Sequence, residues 1–307
     1  MKGSFRSITV GISLAAALIL SATQLRGAPT VDGTLDGAYG SALAVQTVET
    51  GFGDNQSELD AGYATIDSGF LYLMLTGNVE ANGNKLEIFI DSGTGGQSVF
   101  LSAGNDNSAN MNGLKFDSGF TAGYYLDVRR GGGTPLFNVD FSNLHGVPTF
   151  SSYADVFGGT VTGSGNTGTG VNGTPIGVGY NNNNVAGIGG SPPNAANQAA
   201  AMAVTTGLEL KIALSDLGYV SGPIKVMVGQ NGGQHDYWSN QFLGGLPLEG
   251  NLGGDGAGNY IGGPSGIDMT APYAAGDQFF TVVPEPSTIG LVGVGLLGLL
   301  TIRRRKV

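Results

Sequence analysis

Two histidines and no cysteine bound the chemistry open to this chain. Without cysteine there is no thiolate nucleophile and no disulfide framework. His145 and His235 are the sole imidazoles, ninety residues apart in expected loops. Either could act as a base or a transition-metal ligand. A Ser-His-Asp triad stays open on sequence alone, although loop histidines are usually solvated. Glycoside hydrolysis needs only two carboxylates, and Glu87, Asp91 and Glu209 are candidates. Each alternates with apolar residues, which speaks first for a strand face. Asp32, Asp36, Asp91 and Asp106 lie near glycine-rich turns and could offer oxygens to calcium. No spacing matches an EF-hand loop, and ordinary turn aspartates are the simpler reading. The metal, if any, is unknown at this level.

The best candidate for ligand contact is Gln234-His235-Asp236-Tyr237-Trp238-Ser239-Asn240-Gln241. Tyr237 and Trp238 could stack on a sugar face, with Asn240 and Gln241 hydrogen-bonding to hydroxyl groups. Adjacent strand residues point to opposite faces, so one of the two aromatics at most should meet a ligand. Trp238, the single Trp of the chain, is an equally good core anchor. Three G-x-G-x-x-G matches lack the strand-then-helix context of a dinucleotide site.

The elements that must position these residues read as short strands. Leu86, Ile88 and Ile90 alternate with Glu87, Phe89 and Asp91. Leu208, Leu210 and Ile212 alternate with Glu209 and Lys211, and residues 224–229 repeat the pattern. Residues 59–66, 70–75, 124–128 and 279–282 complete the expected strands. Glycine is 56 of 307 residues, without the three-residue period of collagen, and only 12% of residues are charged, too few for a disordered chain. The expected fold is all-β: an antiparallel β-sandwich, jelly-roll-like, with long Gly/Asn-rich loops, spanning residues 29–282. Residues 158–195 read as a Gly/Asn-rich insertion. The net charge of −10 argues against a nucleic-acid partner.

The termini carry addresses. Lys2 and Arg6 precede an apolar run over residues 8–20, then small residues; this is a signal-peptide layout over residues 1–28, with Ala22 and Ala28 as alternative cleavage points. It implies the Sec translocon as a partner. At the other end, residues 288–302 carry no charge and predict a C-terminal transmembrane helix. About 15 residues give roughly 22 Å, short of a ~30 Å hydrocarbon core, a mismatch that snorkelling and thinning absorb. Arg303, Arg304, Arg305 and Lys306 then form a basic cluster that holds the end in the cytoplasm. The domain before it lies on the periplasmic side of the inner membrane.

Val283, Pro284, Glu285, Pro286 and Ser287, the glycine-interrupted apolar segment and the basic end together resemble the PEP-CTERM sorting signal of Gram-negative bacteria that make extracellular polysaccharide. The resemblance covers residues 283–307. It implies that an exosortase, a membrane-embedded cysteine transpeptidase-like enzyme, recognises Pro284, Glu285 and Pro286 as substrate. A second resemblance is carried by Val31-Asp32-Gly33-Thr34-Leu35-Asp36-Gly37-Ala38-Tyr39-Gly40, Phe70-Leu71-Tyr72-Leu73, and Gly207-Leu208-Glu209-Leu210-Lys211-Ile212 with Leu217-Gly218. It is similar to family-nine-like carbohydrate-binding and DOMON-like β-sandwiches, and implies their fold more than their ligand. The expectation is an exported, exosortase-processed, non-catalytic surface or extracellular-matrix protein associated with exopolysaccharide, anchored transiently and without an obligate cofactor. A glycan-active hydrolase and a purely structural matrix protein are the alternatives.

Overall fold

The computed structural model describes residues 27–131, 136–235, 237–245, 250–252 and 266–284. All belong to one unit, Gly27–Glu285. The expected signal segment up to residue 26, the transmembrane helix, Glu285, Pro286 and the basic cluster lie outside the described residues.

Thirteen strands form two antiparallel sheets among the described residues. In chain order they are β1 (Ala44–Val45), β2 (Glu58–Asp67), β3 (Phe70–Asn78), β4 (Lys85–Asp91), β5 (Tyr124–Arg130), β6 (Phe137–Asn143) and β7 (Thr149–Tyr153). They continue with β8 (Gly163–Asn166), β9 (Gly177–Tyr180), β10 (Gly207–Ala213), β11 (Ile224–Asn231), β12 (Trp238–Phe242) and β13 (Phe280–Val282). One sheet runs β1-β2-β3-β10-β9-β8; the other runs β12-β11-β4-β5-β6-β7, with β13 also on β11. Because β4 to β7 meander side by side, the connectivity is simpler than the Greek-key crossings expected of a jelly roll.

Period-two patterning puts the core between the sheets. Leu71, Leu73 and Leu75 from β3 and Leu208, Leu210 and Ile212 from β10 meet Leu86, Ile88 and Ile90 from β4 and Leu126 and Val128 from β5. The outer faces are covered too. Phe89, Tyr125 and Met227 pack beneath Phe100, Phe116 and Met269 from loops. On the other sheet Tyr63, Tyr72 and Met74 pack against Tyr39. Phe89, outward by alternation, is therefore buried as fully as its inward neighbours.

Residues 158–195 are more than an insertion, since β8 and β9 lie within them and β9 pairs with β10. Glycine hid the strand: a Cβ at Gly179 would come within 2.6 Å of the backbone nitrogens of Asp32 and Gly33. That close approach is how the opening segment docks. Glu209 fixes it, as Oε2 accepts from the backbone N–H of Asp32 (2.9 Å) and Gly33 (3.1 Å), and Oε1 accepts from the Tyr39 hydroxyl (2.6 Å).

Candidate functional site

The end of β11, the turn into β12 and the loops before β2 and β4 enclose a cleft of about 340 Å³. Phe52 and Tyr237 supply aromatic surface, and Asn82, Asn84, Gln230, Asn231, Ser57 and Ser239 supply amides and hydroxyls. The Asn231 carboxamide braces the turn: its oxygen accepts from the backbone N–H of Gly232 (2.8 Å) and Tyr237 (3.0 Å). Gln230 donates to the Asn78 carbonyl, while its buried side-chain oxygen has no hydrogen-bond partner among the described residues. Among the described lining residues none is charged or a histidine.

The four residues expected to touch a ligand separate here. Tyr237 is half-buried and lines the cleft. Trp238 points the other way, fully buried, its ring stacked on Phe242 at 5.1 Å. That is the core outcome of the alternation argument, and it removes Trp238 from ligand contact. Asn240 and Gln241 are buried as clamps. Asn240 donates to the Glu49 carbonyl (2.6 Å). Gln241 accepts from the Leu59 N–H (2.7 Å) and donates to the Ser57 carbonyl (3.0 Å). Phe52, Asn82, Asn84 and Gln230 were not foreseen; the Asn82-Gly83-Asn84 turn is the sequence signal that could have pointed to them.

Beneath the cleft, Asn231 also donates to Glu87 Oε1 (3.1 Å), joining a buried charged cluster on the outer face of the second sheet. Register places Glu87 opposite Asp127 and Asp127 opposite Asp140, a row of three carboxylates across neighbouring strands. Like charges so paired destabilise a sheet unless compensated. Arg129 compensates, contacting Asp127 (2.9 Å), Asp140 (3.2 Å) and Asp106 (3.0 Å). Lys85 pairs with Asp106. His235 Nδ1 is 2.6 Å from Glu87 Oε1, and Tyr125 donates to Glu87 Oε2 at 2.5 Å. His235 and Asp106 both hold left-handed backbone (φ 54° and 38°), a strain of about 1–3 kcal/mol that the network overcomes.

Burial disfavours the imidazolium of His235, but the charge of Glu87 and hydrogen bonding to Asp106 and Glu87 outweigh it and raise its pKa to about 10. Burial pushes Asp127 up to about 7 against the pull of Arg129 and His235. Asp106, although partly desolvated, is held below the usual carboxylate range by hydrogen bonds to His235 and Lys85 and by the Arg129 charge.

His235, Asp106 and Asp127 bring one ligand atom each within 4.8 Å of one another, close enough to hold a metal ion. His235 Nε2 is 3.7 Å from Asp106 Oδ2 and 3.6 Å from Asp127 Oδ2. Those same oxygens already carry Lys85 and Arg129, so the protein supplies its own cations here.

The other candidates lie apart. His145 sits between Asn143 Oδ1 (2.9 Å) and the Gly95 carbonyl (3.1 Å). Asp91 is four residues along β4 from Glu87, about 13 Å at strand rise, and accepts from the N–H of Gly93 and Thr121. Glu209 is in the other sheet. Asp32 and Asp36 accept from nearby backbone N–H groups, as turn aspartates do.

Fold and cleft together define a two-sheet β-protein with a small, uncharged, amide-and-aromatic cleft. Residues 282–306 match the PEP-CTERM protein-sorting motif, which supports an exported protein sorted by an exosortase. The match begins at Val282, buried and paired with Ile224; Val283 follows, 72% exposed. No curated protein and no solved structure matches the chain.

Proposed function

We propose that this is an exosortase-processed, non-catalytic protein of the cell surface or extracellular matrix, and that it binds exopolysaccharide through the cleft at Tyr237. On this reading it is held briefly in the inner membrane with its β-domain on the periplasmic side. Val283, Pro284, Glu285 and Pro286 are the segment offered to the exosortase.

The observation that supports sugar binding is the lining: two aromatic side chains flanked by uncharged amides and hydroxyls. Sugar hydroxyls are both donors and acceptors, so carboxamides match them. About 340 Å³ suits one or two sugar units. A hydrolase would need two carboxylates facing the substrate, and the described lining has none.

The test is equilibrium binding of the purified full chain to the exopolysaccharide of its own producer. Saturable binding, weakened by Tyr237→Ala and Phe52→Ala in folded protein, is the expected result. Absence of saturable binding would leave a sorted structural protein.

A further inference from the structure

The start of β2 carries two acids, Glu58 and Asp60, that have no cation paired with them among the described residues. Leu59 pairs with Gly77 and Ala61 with Thr76, so Asp60 is the extra residue of a β-bulge. The bulge resets the alternation: Leu59 enters the inter-sheet core, and Gly62 again faces it, beside Leu243 and Phe280. Glu58 and Asp60 are thereby both turned to the outer face, as bulges beside functional sites often re-aim side chains.

The loop after β9 closes over them. The Ile188 N–H donates to Glu58 Oε1 (2.7 Å), and Asn184 donates to Glu58 Oε2 (3.4 Å) and Asn78 Oδ1 (2.9 Å). Gly187 lies against both acids. A Cβ there would be 2.3 Å from Glu58 Oε1 and 2.4 Å from Asp60 Oδ1, so both oxygens close on the same glycine and leave no room for a side chain between them. Asp60 is fully buried, and neither of its carboxylate oxygens meets a donor in hydrogen-bond geometry among the described residues, although the Ile188 N–H and the Glu58 carboxyl lie near enough to act on it. No described ion pair involves Glu58 or Asp60. Asp54, exposed in the preceding loop, adds a third negative charge that acts on both.

Isolated buried carboxylates are costly, and they either take up a proton or bind a cation. Burial, then mutual repulsion, raises Asp60 to about 9. The contrast with the other sheet is direct: there three buried carboxylates come with Lys85, Arg129 and His235, and here the described residues bring no cation.

We propose that Glu58 and Asp60 bind one calcium ion that fastens the 184–188 loop onto β2, with the negative charge of Asp54 adding to its attraction. The donors are all oxygen, without imidazole or thiolate, which suits a hard cation over zinc or copper. Two buried carboxylates and an Asn-rich loop fit the larger, flexible shell of calcium better than the strict octahedron of magnesium. Extracellular modules hold calcium at about 10⁻⁴–10⁻³ M, the range expected here. This site is separate from the polysaccharide reading and does not rest on it.

The test is calorimetric titration of CaCl2 into the full chain, purified in detergent and stripped with chelator, alongside thermal melting. One calcium per chain is expected, with a Tm rise of about 5–10 °C at a hundredfold excess over Kd and at least tenfold weaker magnesium binding. Asp60→Asn should abolish the heat and the calcium-dependent Tm rise. In chelator it should melt no lower than wild type, since it removes a buried charge; loss of binding then cannot be loss of fold. Asp36→Asn, at a turn aspartate outside the site, should retain the stoichiometry. Folded wild type giving neither heat nor a Tm shift would mean that the pair shares a proton only. Undiminished calcium binding by Asp60→Asn would equally overturn the assignment.

Discussion

His235 Nδ1 lies 2.6 Å from Glu87 Oε1, and both residues are fully buried. Glu87 stands on a sheet strand and His235 in the β11–β12 turn, so this contact ties the floor of the cleft to the sheet beneath it. Asn231 reinforces the tie by binding Glu87 and the Tyr237 backbone at once.

That contact predicts loss of stability at alkaline pH. A histidine raised from 6.5 to about 10 stabilises fully below about pH 6.5, and the contribution is lost as pH rises through 10. Asp127, raised to about 7, adds a penalty that grows above its ordinary value, in the same direction. In calcium-free buffer Tm should fall steadily from pH 6.5 to 10. His235→Gln should flatten much of that slope, leaving the part due to Asp60. His235→Ala should cost about 3–5 kcal/mol at pH 7 by urea unfolding, because it leaves Glu87 buried without its partner.

Tyr237 and Trp238 should part company under mutation. Trp238→Ala empties a buried site and should cost about 3–5 kcal/mol. Tyr237→Ala should cost under about 1 kcal/mol yet weaken polysaccharide binding roughly tenfold, as central aromatic contacts do. Paired unfolding and binding curves check both. Equal stability losses would place both rings in the core.

Glu209→Ala should release the opening segment. It would leave the Tyr39 hydroxyl and the N–H groups of Asp32 and Gly33 without their acceptor. The expected loss is about 3 kcal/mol, with new proteolytic cuts within residues 27–40. Mass spectrometry of a timed digest reads the cut sites.

Replacing Pro284, Glu285 and Pro286 together by alanine should leave the β-domain melting unchanged, since the last strand-paired residue among the described residues is Val282. The same variant should accumulate uncleaved in the inner-membrane fraction of the producing cell. Normal release in a fractionation immunoblot would show that the exosortase does not read these residues.

Much of the sandwich was legible because period-two alternation is local. Strands β4, β10 and β11 carry it in plain view, while β2, β3, β5 and β13 were legible as short apolar or aromatic runs. Strand β9 was not legible, since glycine stands where backbone from residues 31–33 packs against it, and a side chain there would have clashed. Strand β6 was missed although Phe137, Val139 and Phe141 alternate with Asn138, Asp140 and Ser142; the structure buries Asp140 and Ser142 by meeting them with Arg129 and Asn105.

The sorting tail is the clearest case of function written in sequence. Its parts are read in linear order, so composition and spacing are sufficient. The cleft is the opposite case. Phe52, Asn82 and the Gln230–Tyr237 turn come from three stretches distant in sequence; the pairing of β4 with β11 brings the last two together, and the loop before β2 adds Phe52. The same holds for the acids. Sequence alone showed Glu58 and Asp60 as two polar positions beside apolar ones. Whether such a carboxylate finds an arginine, a histidine or nothing depends on which loop folds across it, and burial then sets its charge.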